Sequence, residues 1–199
     1  MRTMMGRGIR SGLLGLALAL AGTAVAVAKG VPVEFPPTGS DLVFVRTVGS
    51  HSETVHWRVQ GEEQYKGRPV YRLQDGKDYA LYDAQTKSWV ATFQHGRLKV
   101  VSPHNGQLSS PLWVGKRWQS RFMYTKSDGS QVEERREWVV QSHGPVTVPA
   151  GTFDAYRIVS PGKVLTINLW YAPKVKFFVK RTTSGMISIE QKLIDYTLD

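Results

Sequence analysis

The chain has 199 residues, with 26 lysines and arginines against 16 aspartates and glutamates, and no cysteine. That length suits one domain with a core of its own, and the missing cysteine excludes thiol catalysis, a disulfide scaffold and the lipid-bearing cysteine of a bacterial lipoprotein. The formal net charge of +10 favours anionic surfaces such as lipid head groups, lipopolysaccharide or acidic glycans, whereas the scatter of the cations argues against nucleic acid.

Residues 1–28 have the pattern of a secretory signal peptide. Arg2, Arg7 and Arg10 give a basic start, and Leu13 to Ala21 form an apolar run too short to span a bilayer. Ala26-Val27-Ala28 then offers a cleavage site. The expected mature chain is a single β domain over residues 29–199, periplasmic or secreted and not membrane-spanning. Removing three arginines leaves 23 basic against 16 acidic residues, a net charge of +7.

Residues 31–38 are proline-rich and without period, which predicts an extended lead-in. Strand patterns begin at 42–46 and continue through 54–60, where Val55, Trp57 and Val59 alternate with polar residues. Further strands follow over 69–73, 79–82, 88–93 and 98–101, separated by short polar turns. Residues 111–118 read as a bend packed on the core, because two tryptophans flank Gly115. After it, Trp118, Ser120, Phe122 and Tyr124 share one strand face. Residues 131–142 are the one serious helix candidate, but Val132, Trp138, Val139 and Val140 do not recur at three and four, so we assign a strand with mainly solvent-facing charges.

Residues 146–173 organise the rest. Pro149 and Gly151 set a turn into an apolar strand over 153–159, a break at 160–163 leads to its partner over 164–171, and Pro173 stops it. Two more strands lie within 177–182 and 186–196. The count is about ten to twelve short strands with no long helix, which predicts an all-β fold: a single antiparallel, strongly curled sheet, half-barrel or barrel-like.

The run V-x-V-P-A-G-T-F-D-A-Y-R-I at 146–158, with L-W-Y-A-P at 169–173 and P-L-W-V-G-K-R-W at 111–118, resembles a group of exported bacterial β-proteins. More distantly, the chain is similar to the lipoprotein-carrier superfamily of the LolA/LolB type. The resemblance spans roughly Leu112 to Tyr196 and implies a ligand-holding hollow in an unclosed barrel. The carriers' amphipathic plug helices have no counterpart here, and the resemblance implies no catalytic residues.

Catalytic and metal chemistry find little support in the residues. His51, Glu53 and His56 have metal-ligand types, yet on a strand His56 faces away from the other two. No nucleophile elbow and no phosphate-binding loop occurs, and Glu133 and Glu134 are consecutive, hence on opposite faces. No cofactor is predicted. Aromatic content is the distinctive feature, and Trp57, Trp118, Phe122, Tyr124, Phe153 and Tyr171 are the expected ligand-binding residues, as part of an apolar pocket in the concave face. The expected function is a non-catalytic envelope protein binding a lipid or other amphipathic small molecule. The alternatives are a module that docks an envelope protein partner through an edge strand or exposed aromatics, and an envelope-acting hydrolase.

Overall fold

The computed structural model describes residues 30–126 and 128–199, so the signal-peptide reading of residues 1–28 lies outside the described residues. Twelve strands follow in chain order: β1 (Asp41–Val48), β2 (His51–Tyr65), β3 (Arg68–Asp75), β4 (Asp78–Asp83), β5 (Trp89–Gln94), β6 (Arg97–Ser102), β7 (Arg117–Thr125), β8 (Gln131–Val148), β9 (Gly151–Ser160), β10 (Leu165–Ala172), β11 (Phe177–Gly185) and β12 (Ile189–Thr197). Each pairs antiparallel with its neighbour in sequence. β1 also pairs with β12, so the all-β sheet closes into a barrel. Closure leaves neither terminal strand with an unpaired edge. No helix occurs among the described residues.

Period-2 alternation places the core. In β2, Val55, Trp57 and Val59 are buried while His56, Arg58 and Gln60 between them are exposed. β9 and β10 pair through Ile158 opposite Leu169 and Tyr156 opposite Tyr171, and both strands lie in the main core. A smaller cluster of Val70, Leu81, Val90 and Ala91 is built separately on β3, β4 and β5.

β8 resolves the helix candidate as a strand of 18 residues. Glu133 faces outward and accepts hydrogen bonds from Arg121 at 2.6 Å and Arg135 at 3.0 Å. The strand charges are not all on solvent-facing positions, however. Glu134 and Arg136 are in phase with buried Trp138 and Val140 and so line the interior.

The barrel is filled from one end by two irregular segments. The lead-in enters the interior, where Val31 and Leu112 exchange backbone hydrogen bonds of 2.8 and 2.7 Å and the Val33 N–H donates to Ser110 Oγ. The Glu34 N–H donates to the Tyr171 hydroxyl at 2.8 Å, and that hydroxyl lies 3.2 Å from the Glu34 carbonyl, to which it donates. Phe35 then stacks on Tyr71 at 4.6 Å and meets Phe177 edge-on. The expected extended lead-in is therefore also part of the core.

The second segment joins β6 to β7. Those strands pair only at Val100, Val101 and Ser102, and beyond that seam the connecting loop takes the place of β6. The Asn105 N–H donates to the Trp89 carbonyl, Trp118 Nε1 donates to the Gly106 carbonyl, and Ser120 Oγ donates to the Asn105 carbonyl. Gly106 has φ of 65°, and a Cβ there would come within 2.3 Å of Ser120 Cβ. We expect Gly106→Ala to lower stability by about 1–3 kcal/mol. Gly76→Ala is the control: φ is also positive, at 54°, but nothing lies within 4 Å of the new Cβ. Equal shifts in urea midpoint for the two variants would show that the loop does not press on β7.

Candidate functional site

The two ends of the barrel interior differ in chemistry. At the end closed by the lead-in and the β6–β7 loop, Val33, Phe35, Leu108 and Leu112 pack into the main core. The opposite end carries the hairpin turns after the odd-numbered strands, and there charged side chains occupy inward positions. Arg46 on β1 continues the phase of buried Leu42 and Phe44. It stands opposite Gln191 on β12, which in turn stands opposite Arg181 on β11, so the three side chains are consecutive members of one interior ring. Lys99 on β6 and Arg136 on β8, whose charges are felt within the same ring, complete a basic chamber.

Most of these cations have a partner. Arg46 donates to Gln94 Oε1 at 2.8 Å, a bond that reaches from β1 to β5 across the mouth, and lies 3.5 Å from Glu53. Arg136 lies 3.6 Å from Glu134 and its guanidinium reaches the Leu165 carbonyl. Arg181 and Lys99 form no ion pair among the described residues. The Arg181 Nε is buried without a hydrogen-bond partner, and so is the Ser160 hydroxyl. Ser160 lies on the same wall, opposite Ile167, which is opposite Thr183, two residues from Arg181 on the same face.

Beside Arg181 is a cavity of about 30 Å³. Phe44, Tyr82, Leu169, Phe177 and Phe178 form its apolar walls, and Gln107, Gln191 and Arg181 its polar ones. Tyr82 and Arg181 are half-buried, and both line this cavity. Loss of solvation pushes the Tyr82 phenol up to about 12, against the attraction of Arg181. Desolvation lowers the pKa of Arg181, with Tyr82 opposing and repulsion from Arg46 and Arg136 adding to the effect. It lowers that of Lys99 as well, where Arg46, Arg181 and Arg97 contribute in turn.

The six aromatic residues expected to bind ligand do not converge. Trp57, Phe153 and Tyr171 are buried in the main core, with Tyr171 only 1% exposed and tied to the lead-in. Trp118 stacks on Trp138 and borders an external groove of about 580 Å³ with His104 and Arg121. Phe122 is buried on β7, and Tyr124 is half-buried with its phenol pKa raised first by desolvation and then by Glu134. The small cavity is lined instead by aromatics outside that set of six. Arg181 is a further residue that sequence reasoning misses, although Phe177, Val179, Arg181 and Thr183 alternate in a way that could place a cation indoors.

The histidines stay dispersed. His56 is exposed, and Glu53 meets His95 at 3.4 Å instead of either histidine of the His51-x-Glu53-x-x-His56 run. His104 Nδ1 accepts the Gly106 N–H, and burial lowers its pKa. Among the described residues no three metal-ligating side chains converge and no hydroxyl is hydrogen-bonded to a histidine.

No family model and no curated protein matches the chain. Among solved structures it is similar to the hypothetical lipoprotein YmcC of Escherichia coli, with 10% identity over 80% of this chain and 85% of that one and a TM-score of 0.48. A candidate lipoprotein of Parabacteroides distasonis shares 14% identity over 85% of this chain and all 100% of its own, with a TM-score of 0.42. A candidate exported protein of Bacteroides fragilis with a YmcC-like fold shares 13% identity over 83% of this chain and 99% of its own, at 0.38.

Proposed function

We propose that the protein is an exported, non-catalytic binding protein of the cell envelope that takes an apolar or amphipathic ligand into the open end of its barrel. The observation that carries this reading is the cavity at which four aromatic rings meet a guanidinium with no carboxylate partner among the described residues. A pocket with apolar walls and a few convergent polar groups is the usual form of a small-molecule site. The leader-like pattern of residues 1–28 supports export, and the resemblance to the lipoprotein carriers supports an acyl-type ligand. The filled end of the barrel sets the depth of entry: a ligand stops at the ring of Phe44, Tyr82 and Phe177, which packs against Phe35 of the lead-in.

Native mass spectrometry of the protein recovered from a bacterial periplasm, before and after organic extraction, tests the reading. A mass excess that extraction removes is the expected result. A single apo mass, together with no binding of a neutral apolar dye such as N-phenyl-1-naphthylamine, would overturn it.

A further inference from the structure

The ligand class can be narrowed on the premise, argued above for the barrel mouth, that this end is a binding site. We propose that the ligand is a single-chain amphiphile with a carboxylate head, bound head-first with the head at Arg181 and the chain directed out through the rim.

The charge balance of the chamber gives the sign of the head. Arg46 is matched by Glu53 and Arg136 by Glu134, which leaves Arg181 and Lys99 in excess. A lysine can shed its proton under such conditions, whereas a guanidinium stays charged. An interior cation without a counter-charge is costly unless an anion or water completes it, and the planar guanidinium fits a carboxylate through two parallel hydrogen bonds. Arg181 also keeps a buried Nε with no acceptor. Gln191, its neighbour in the ring, adds an amide that can donate to the same head.

The space gives the size of the head. A cavity of about 30 Å³ has room for little more than one or two water-sized groups, which suits a carboxylate and excludes a phosphosugar or a glycerophosphate head.

The rim gives the direction of the chain. Arg181 lies four residues from Gly185 at the end of β11, roughly 13 Å below the turn at the strand rise. Around that turn Met186 is 83%, Val164 60% and Ile187 54% exposed, an apolar margin at the end of the barrel opposite the lead-in. Between the two levels stand Ile167 and Thr183. An alkyl chain leaving the head would follow this wall to the rim, with the Arg46–Gln94 bond swinging aside to admit it.

The experiment compares dodecanoate with 1-dodecanol as competitors of N-phenyl-1-naphthylamine on the mature protein. The two differ only in the charged head. We expect dodecanoate to displace the dye at a concentration at least tenfold lower than dodecanol. Arg181→Gln and Arg181→Met should each weaken dodecanoate by about 10–100-fold while shifting dodecanol by less than about threefold, so that the preference for the acid over the alcohol, each measured against the dye affinity of the same variant, is lost. Equal potency of acid and alcohol on the unmodified protein would overturn the carboxylate assignment while leaving a binding site, and this comparison needs no variant to fold. A loss of dodecanoate that Arg181→Lys fully restores would overturn the paired guanidinium contact. Absence of dye binding altogether would overturn the binding reading as well.

Discussion

Trp138→Ala should lower the stability of the protein by about 3–5 kcal/mol, a fall in melting temperature of roughly 10–15 °C for a domain of this size. Trp138 is 1% exposed and is the largest fully buried side chain. Its indole stacks on Trp118 with centroids 6.4 Å apart, and its Nε1 donates to Ser120 Oγ at 3.0 Å. That hydroxyl donates in turn to the Asn105 carbonyl, so one side chain ties β8 to β7 and to the loop that stands in for β6. Truncation opens a cavity and unties the seam together. Trp138→Phe should retain most of the apolar contact and lose only the hydrogen bond, about 1–2 kcal/mol. Trp113→Ala, at a ring 40% exposed beside Lys116, should cost less than about 1 kcal/mol. Urea unfolding of the three variants checks the order, and a Trp113 effect as large as that of Trp138 would refute it.

The contrast between those two tryptophans shows what was legible in the sequence. Alternation gave the phase of Trp57 in β2 and of Trp118, Phe122 and Tyr124 in β7, because those strands run without a bulge through the residues concerned. The turns at Pro149 and at Ser160-Pro161-Gly162-Lys163 were readable because proline and glycine restrict the backbone locally. Closure was not readable as a certainty: whether β1 meets β12 depends on the accumulated twist and stagger of twelve strands, which no local pattern records.

The site was harder still. In β11 the run Phe177-Phe178-Val179 is buried on both phases, and the pairing with β10 slips between Trp170 and Tyr171. That slip hides which parity of β11 faces inward, and with it the placement of Arg181. Gln191 stands opposite Arg181 across the β11–β12 hairpin, but Arg46 is distant in sequence and joins the two only through the closing strand pair. Nor does anything in residues 31–38 state that Phe35 fills the interior. That segment has no periodicity, and its partners, Tyr71, Tyr82 and Phe177, come from three strands.

The same interior should make the protein sensitive to alkali in a defined window. Tyr82 and Tyr171 both have phenol pKa values of about 12, against an ordinary value of 10.0. The main cause is desolvation in each case. For Tyr171 the hydrogen bonding to Glu34 acts in the opposite direction and the charge of Glu34 in the same one. A group whose pKa is raised by folding contributes its full stability below the unfolded value, and that contribution disappears as the pH passes through the folded value. Stability should therefore hold to about pH 10 and fall between about pH 10 and 12. At 1.36 kcal/mol per pKa unit the two phenols together contribute roughly 5 kcal/mol across that window.

Tyr124 and Tyr156, whose values are also raised by desolvation, act in the same direction. Lys99 and Lys116 act oppositely, since their lowered values relieve a cost as the pH rises, but both lysines are partly solvated and offset little of the loss. Two consequences separate the contributors. Tyr82→Phe removes a hydroxyl that has no hydrogen-bond partner among the described residues, so it should leave neutral stability nearly unchanged and remove about half of the alkaline loss. Tyr171→Phe removes the acceptor of the Glu34 N–H and the donor to its carbonyl, so it should cost about 1–3 kcal/mol already at pH 7. Melting curves from pH 8 to 12, read with phenolate absorbance at 295 nm, measure both. Of the 8 tyrosines, two should ionise only as the barrel opens. If all of them titrate together near pH 10 while the fold persists, the interior around Tyr82 is wet, and the guanidinium of Arg181 beside it needs no anionic ligand to complete it.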